Sequence, residues 1–511
     1  MTGGARRPGS RRWIGSAALV VLLAAAGCGG PTTGASAGGH PSAPSRSAAL
    51  PAIAPAAPIA WSPCPDGSGL ECGTVPVPVD YRHPLGPSFN LAVTRAPSLD
   101  PSDPGGTLVF NPGGPGESGN QILPVVLSLF PPSVRQDFDI VSFDPRGTGA
   151  SDVLDCGTSP SAAASVVPVP AAGGRPLPGT PVFTAMARAC ERVAGSFTPF
   201  VDTTDTARDL DRIRQALALS TISYYGLSYG TVLGAVYADF FPHRVATMVL
   251  DGAVDVNATL PQQADEQAPA AEQSIDHLLT GCASAAVCPL GADPEAYFRS
   301  LAASLSRRPL AAPGHGDPYP VTVGDLDTAT LFAVSVPGFT PSYESALVAA
   351  HAGNGAPLRA LSLEFDTDID GAPLVDPLWA ITCNDAASHP GPVAAGDQAR
   401  TLAARYPLLG GYAVTYAMGG CVSWPAARQP VVDLHPTGTP PILVIGNTGD
   451  PNTPLVGARH LAGDLPGARL ATWAGWGHTW LLSGSGDTCM QRVVTTYLTG
   501  GGLPAPGTVC H

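Results

Sequence analysis

Short apolar runs rich in β-branched and aromatic residues alternate along much of this chain with stretches whose apolar positions recur at helical spacing. Residues 107–110 (TLVF) predict a strand that stops at NPGGPGESG, residues 111–119, where a helix can start. Residues 138–143 (FDIVSF) predict a second strand, followed by DPRGTGAS. Residues 204–219, TDTARDLDRIRQALAL, predict a helix with Leu210, Ile213, Leu217 and Leu219 as its apolar stripe. Thr203 or Thr204 can cap it, and acids crowd its first turns. Residues 222–225 predict a strand, followed by a sharp turn and a helix to about Phe240. Residues 245–250 predict another strand, ending at Asp251-Gly252.

This rhythm stops near residue 256 and resumes with a strand at 441–446, a helix from about 455 to 465, a strand at 468–473 and a last helix at 488–498. Strands alternating with helices predict an α/β protein, a mostly parallel sheet with helices on both faces. The mixed, largely helical stretch between reads as a cap inserted between late strands. The expected domains are therefore 59–255 and 439–511 for the sheet domain and 256–438 for the cap.

The N-terminus reads differently. Residues 1–28 carry Arg6, Arg7, Arg11 and Arg12 ahead of an apolar run, residues 14–26, too short to span a bilayer comfortably. This predicts a secretory signal. Its end, Ala25-Ala26-Gly27-Cys28, resembles a bacterial lipobox with Cys28 as the lipidated residue, and Ser10-Arg11-Arg12 loosely resembles a twin-arginine signal. Residues 29–58 are Gly/Ser/Pro/Ala-rich and read as a flexible tether.

Composition narrows the chemistry. The 511 residues contain no lysine, which excludes Schiff-base lysines, Ser-Lys dyads and a P-loop lysine. The net charge is −14, and losing the four signal arginines takes it to −18. Such a body repels nucleic acid and anionic lipid, so the only membrane association expected is through the N-terminal anchor. Ten cysteines remain after Cys28, an even number that predicts disulfides in an exported chain. Neighbour pairing is the simplest assignment: Cys64–Cys72, Cys156–Cys190, Cys282–Cys288, Cys383–Cys421 and Cys489–Cys510. No C-x-x-C or H-E-x-x-H occurs, and no metal or cofactor is expected.

Gly226-Leu227-Ser228-Tyr229-Gly230 fits G-x-S-x-G, and so does Gly34-Ala35-Ser36-Ala37-Gly38. Only Ser228 follows an apolar strand and opens a helix, the context in which a tight turn lifts a nucleophilic hydroxyl clear of the sheet. A serine needs a base, and the base an orienting acid, in the chain order Ser, Asp, His. Asp450 lies in the loop after residues 441–446, and His478 in the loop after residues 468–473. Asp251 and Asp255 are rival acids. An oxyanion needs two backbone N–H donors. Tyr229 is expected to supply one and Gly114 the other, with Gly113 as second choice. Asp144-Pro145-Arg146-Gly147 reads as a structural turn with an internal ion pair.

With these pieces in order, the chain resembles the exported actinobacterial α/β-hydrolases related to tripeptidyl aminopeptidases and, more distantly, proline iminopeptidases. The matching segments are NPGGPGESG, FDIVSFDPRGTGAS, DTARDLDRIRQAL, YYGLSYGTVLGAVYADFFPHRVATMVLDGAVD, PILVIGNTGDPNTP and GWGHTW, spanning residues 107–478. The resemblance implies an α/β-hydrolase fold with a cap. It also implies a serine exopeptidase acting on free N-termini, with Ser228, Asp450 and His478 at the family's triad positions. Glu117 departs from it, standing where the family often has a small residue. It either binds a substrate amine or is an exposed loop acid. Recognition of a free ammonium calls for carboxylates. Asp385 beside Cys383 is the first candidate, ahead of Glu364, Asp366 and Asp368. An esterase or lipase with the same triad, or a non-catalytic peptide-binding envelope lipoprotein, are the alternatives.

Overall fold

The computed structural model describes residues 51–511 except 101, 103–104, 313–317 and 368–372; the proposed signal, Cys28, Ser36 and Asp368 lie outside the described residues. A single ten-stranded sheet organises the chain, in the order β1-β2-β3-β5-β4-β6-β7-β8-β9-β10. Its strands are β1 (Ser62–Pro63), β2 (Glu71–Pro78), β3 (Ser88–Ala96), β4 (Gly106–Asn111) and β5 (Phe138–Phe143). They continue as β6 (Ile222–Leu227), β7 (Val245–Asp251), β8 (Leu443–Gly449), β9 (Arg469–Trp476) and β10 (Val509–Cys510). The first three pair antiparallel, and β3 joins β5 antiparallel. Every pairing from β5 through β4 to β10 is parallel.

The central strands are apolar on both faces because helices cover both. On one side Val109, Tyr224, Leu250 and Val444 pack with Leu210, Ile213 and Leu233. On the other, Phe110, Tyr225, Val249 and Ile445 pack with Leu123, Trp480 and Val494. The register brings the carboxyl ends of four strands together: Asn111 opposite Gly226, Leu227 opposite Asp251, and Asp251 opposite Ile445. In parallel sheets this edge is where ligands bind, because the connecting loops converge there.

The helix at Thr203–Ala216 is capped by Asp202, whose side chain accepts from Asp205 N at 2.7 Å, rather than by Thr203 or Thr204. Asp202 leads because its short side chain reaches the orphan amide, whereas the Thr203 hydroxyl is engaged with Asp385.

Among the described residues between β7 and β8 lie eight helices of eight residues or more, from Leu260–Ser284 to Gly410–Met418. One apolar cluster, including Ile275, Phe298, Leu326 and Leu347, is internal to them. A second joins Trp379, Val414 and Met418 to Val166, Phe183 and Met186, which precede β6. The cap core is thus built from two insertions, the first between β5 and the Thr203 helix. All five disulfides join neighbouring cysteines: 64–72, 156–190, 282–288, 383–421 and 489–510. No helix among the described residues is long and apolar enough to cross a membrane.

Candidate active site

Ser228 sits between β6 and the helix Gly230–Phe240 with φ +53°, a conformation L residues rarely adopt. The surroundings impose it. Ser228 N–H donates to Asp251 O at 2.8 Å, and its own carbonyl accepts from Thr231 N at 2.9 Å and Thr231 Oγ1 at 2.6 Å. Both glycines of the motif sit at backbone crossings. A Cβ on Gly226 would stand 2.3 Å from Gly230 O, and one on Gly230 would stand 2.8 Å from Asn111 O. The G-x-S-x-G spacing is therefore a packing requirement of this turn.

On the neighbouring loops, His478 Nδ1 lies 2.9 Å from Asp450 Oδ1 and 3.0 Å from Oδ2. Asp450 is buried and further held by N–H groups of Asn452 and Thr453 at 2.9 Å each, Thr479 N–H at 3.1 Å and Thr453 Oγ1 at 3.0 Å. Those donors keep the carboxylate oriented toward the ring. His478 is also tied to the cap: its backbone N–H donates to Ser335 O at 2.8 Å. Burial pulls the imidazole's pKa down, the Asp450 carboxylate raises it, and Asp251 and Glu117 add to the rise; the net direction is up.

The rival acids have other partners. Asp251 is fully buried and accepts from the N–H groups of Trp480 at 2.8 Å and Leu481 at 2.9 Å and from Tyr225 OH at 3.0 Å. Burial pushes its pKa up to about 6 against the pull of those donors. Asp255 pairs with the half-exposed His460 at 2.7 Å. With Glu266 these two are the described residues outside the disulfides whose side chains could gather around a metal ion. They are already engaged with one another.

The loop after β4 closes on the serine. Gly113 has φ +107°, and a Cβ there would stand 2.6 Å from Leu227 O, 3.1 Å from Ser228 Cβ and 3.2 Å from Tyr229 N. The Gly113 α-carbon, from which the chain passes to Gly114, is therefore packed too close to the serine turn to carry a side chain. A Cβ on Gly114 would meet Glu117 Cγ at 3.2 Å, and one on Gly116 would meet Leu378 N, in the cap helix Val375–Asp385, at 3.0 Å. Glu117 is half-buried, so it is not a freely solvated loop acid. Burial pushes its pKa up to about 7, and the charge of His478 opposes the rise.

Asp385 is half-buried and occupied. Its carboxylate accepts from Thr203 N at 2.8 Å and from the Thr203 hydroxyl, which in turn meets the Tyr229 hydroxyl. Burial pushes its pKa up to about 7 against those hydrogen bonds. Asp385 thus ties the cap to the residue after Ser228 instead of standing free as an ammonium ligand. Glu364 is exposed on the helix Ala356–Asp366.

Asp144 and Arg146 are structural, yet they do not pair with each other. Asp144 accepts from Ser118 Oγ at 2.6 Å, Asn120 N at 3.1 Å and Ala150 N at 2.9 Å. Arg146, fully buried, makes two bonds to Asp209 at 2.7 and 2.8 Å, and donates to the carbonyls of Pro78, Val79 and Phe200. Asp144 is already engaged by those three donors, while Asp209 meets the planar guanidinium with two bonds, one to each oxygen.

Residues 406–510 match the model of a family described as TAP-like protein. The chain is 32% identical to serine protease Hip1 of Mycobacterium tuberculosis over 89% of its own length and 91% of that protein's. It is also 32% identical to carboxylesterase B of the same organism, covering 86% of each chain. Tripeptidyl aminopeptidase of Streptomyces coelicolor is 29% identical over 88% of this chain and 86% of that protein. The chain belongs to the TAP-like α/β-hydrolases. It is a serine hydrolase.

In this TAP-like hydrolase the missed contributors are Thr453, which contacts both Asp450 and the imidazole, and Thr203, which links Asp385 to Tyr229. Thr453 carries a local signal, standing three residues after Asp450 in an Asp-Pro-Asn-Thr turn. Thr203 carries none, because its partners come from distant segments.

Proposed function

We propose that this chain is an exported serine exopeptidase that removes single residues or short peptides from free N-termini. His478, oriented by Asp450, takes the proton of Ser228 as its hydroxyl attacks the peptide carbonyl. The N–H groups of Gly114 and Tyr229 receive the oxyanion. His478 then protonates the leaving amine, and water attacks the acyl-enzyme with His478 again as base. The observation that carries this reading is the two-oxygen contact of Asp450 with His478 Nδ1, at the sheet edge where Ser228 is held at φ +53°. A member named serine protease and another named tripeptidyl aminopeptidase support the substrate class. Export through residues 1–28, with Cys28 as a lipid anchor, is supported by five disulfides, which persist in oxidising compartments.

The relative named carboxylesterase B favours a second reading, ester hydrolysis by the same triad. A panel of N-free and N-blocked peptide anilides beside acyl esters separates the two. Loss of turnover on blocking the N-terminus supports the exopeptidase; turnover of esters alone overturns it. Ser228→Ala abolishes turnover and fluorophosphonate labelling together, and retention of either removes Ser228 from its role.

A further inference from the structure

Glu117 is the acid at this site that has no partner. Asp450 is held by five donors, Asp251 by three and Asp385 by Thr203, whereas the Glu117 carboxylate makes no hydrogen bond among the described residues. Its place is well defined. The Gly114 α-carbon packs against its side chain, with a Cβ there meeting Glu117 Cγ at 3.2 Å, and Ser118 next to it is buried and bound to Asp144. The cap packs on the same loop at Gly116, and Glu117 next to it is half shielded from water. No ion pair with it is formed among the described residues, and a charge on His478 favours its ionised form.

We infer that Glu117 selects substrates carrying a cation on the residue whose carbonyl Ser228 attacks, pairing with that residue's α-ammonium or with a basic side chain. The inference rests on the serine-peptidase reading of Ser228. Two facts of chemistry carry it. A partly buried carboxylate without a donor is stabilised by an incoming ammonium or guanidinium. The same carboxylate, when ionised and left bare on the loop that carries Gly114, opposes the negative charge that develops on the carbonyl oxygen. Glu117 therefore acts in both directions: a cationic substrate neutralises it, and a neutral substrate meets its repulsion. The α-nitrogen of the cleaved residue is two bonds from the carbonyl carbon, so an α-ammonium held by Glu117 belongs to the terminal residue itself. Used that way, Glu117 favours release of one residue at a time.

The test compares wild type with Glu117→Gln and Glu117→Asp on three probes. Alanine p-nitroanilide carries only an α-ammonium, N-acetylarginine p-nitroanilide carries only a side-chain cation, and p-nitrophenyl acetate carries neither. For Glu117→Gln, the ratio of kcat/KM on the better cationic anilide to that on the acetate falls roughly 10- to 100-fold, the size of one charge-assisted hydrogen bond. The loss appears mainly in KM, while turnover of the acetate rises. Glu117→Asp recovers part of the ratio. Which anilide loses more identifies the cation. A ratio that falls less than about tenfold, a wild type without preference for either cation, or an equal loss on all three probes overturns the assignment. Fluorophosphonate labelling of the variants reports the serine separately, so failure of the Ser228 reading is seen independently of Glu117.

Discussion

The backbone N–H of Trp480 donates to the Asp251 carboxylate at 2.8 Å, and that of Leu481 does so at 2.9 Å. The end of β7 thereby holds the segment that follows His478, and the acid that loses the contest for the imidazole still positions it.

Replacing Asp251 with alanine leaves two buried N–H groups and the Tyr225 hydroxyl without acceptors. The expected cost is about 2–4 kcal/mol of stability, read from the urea midpoint. Turnover falls as well, because the loop bearing His478 loosens. An unchanged midpoint would show that the carboxylate is not the anchor.

In the proposed mechanism His478 must be neutral to take the Ser228 proton. Because the net shift on His478 is upward, the acid limb of kcat/KM has its midpoint above the ordinary histidine value of 6.5. Activity rises with pH through that midpoint. Asp450→Asn removes the largest raising charge, so the residual limb moves to lower pH while kcat drops by roughly 10⁴. A pH–rate profile of both proteins checks this, and a limb that stays in place excludes Asp450 as the partner.

Gly113→Ala puts a methyl 2.6 Å from Leu227 O at φ +107°. The loop must withdraw from Ser228, taking the Gly114 N–H with it. The loss in kcat should match one oxyanion donor, about 10²–10³-fold, with KM much less affected. Steady-state kinetics decide it, and a near-normal kcat would remove this loop from the oxyanion hole.

Arg146→Met tests the buried network away from the chemistry. Asp209 would be left as an unpaired buried carboxylate, although Tyr81 OH still donates to it at 2.7 Å. A destabilisation of about 3–5 kcal/mol is expected in chemical denaturation. A loss below about 1 kcal/mol would mean that the pair contributes little.

The sheet-domain elements were legible because their signals are local. The apolar run at residues 138–143 forms a strand with the bounds expected of it, and so does the helix Thr488–Leu498. The three N-terminal strands were not read: ECGTVPVP is broken by two prolines, and it lies with its neighbours at the sheet's antiparallel side, outside the strand–helix alternation. The helix Thr180–Ala194 was also missed, and with it the first insertion. Only its contacts with Trp379 and Met418 reveal that it belongs to the cap.

By itself, then, the order of residues determined the strand–helix alternation and the elbow around Ser228, because period and turn chemistry act over a few residues, and it made neighbouring cysteine pairs the simplest choice because they close the shortest loops. Tertiary structure alone decided which of three aspartates meets His478, that Asp385 is bound to Thr203, that Arg146 pairs with Asp209, and that Glu117 is left without a partner. Those outcomes depend on where buried charges find hydrogen bonds, and the donors come from segments far apart in the chain.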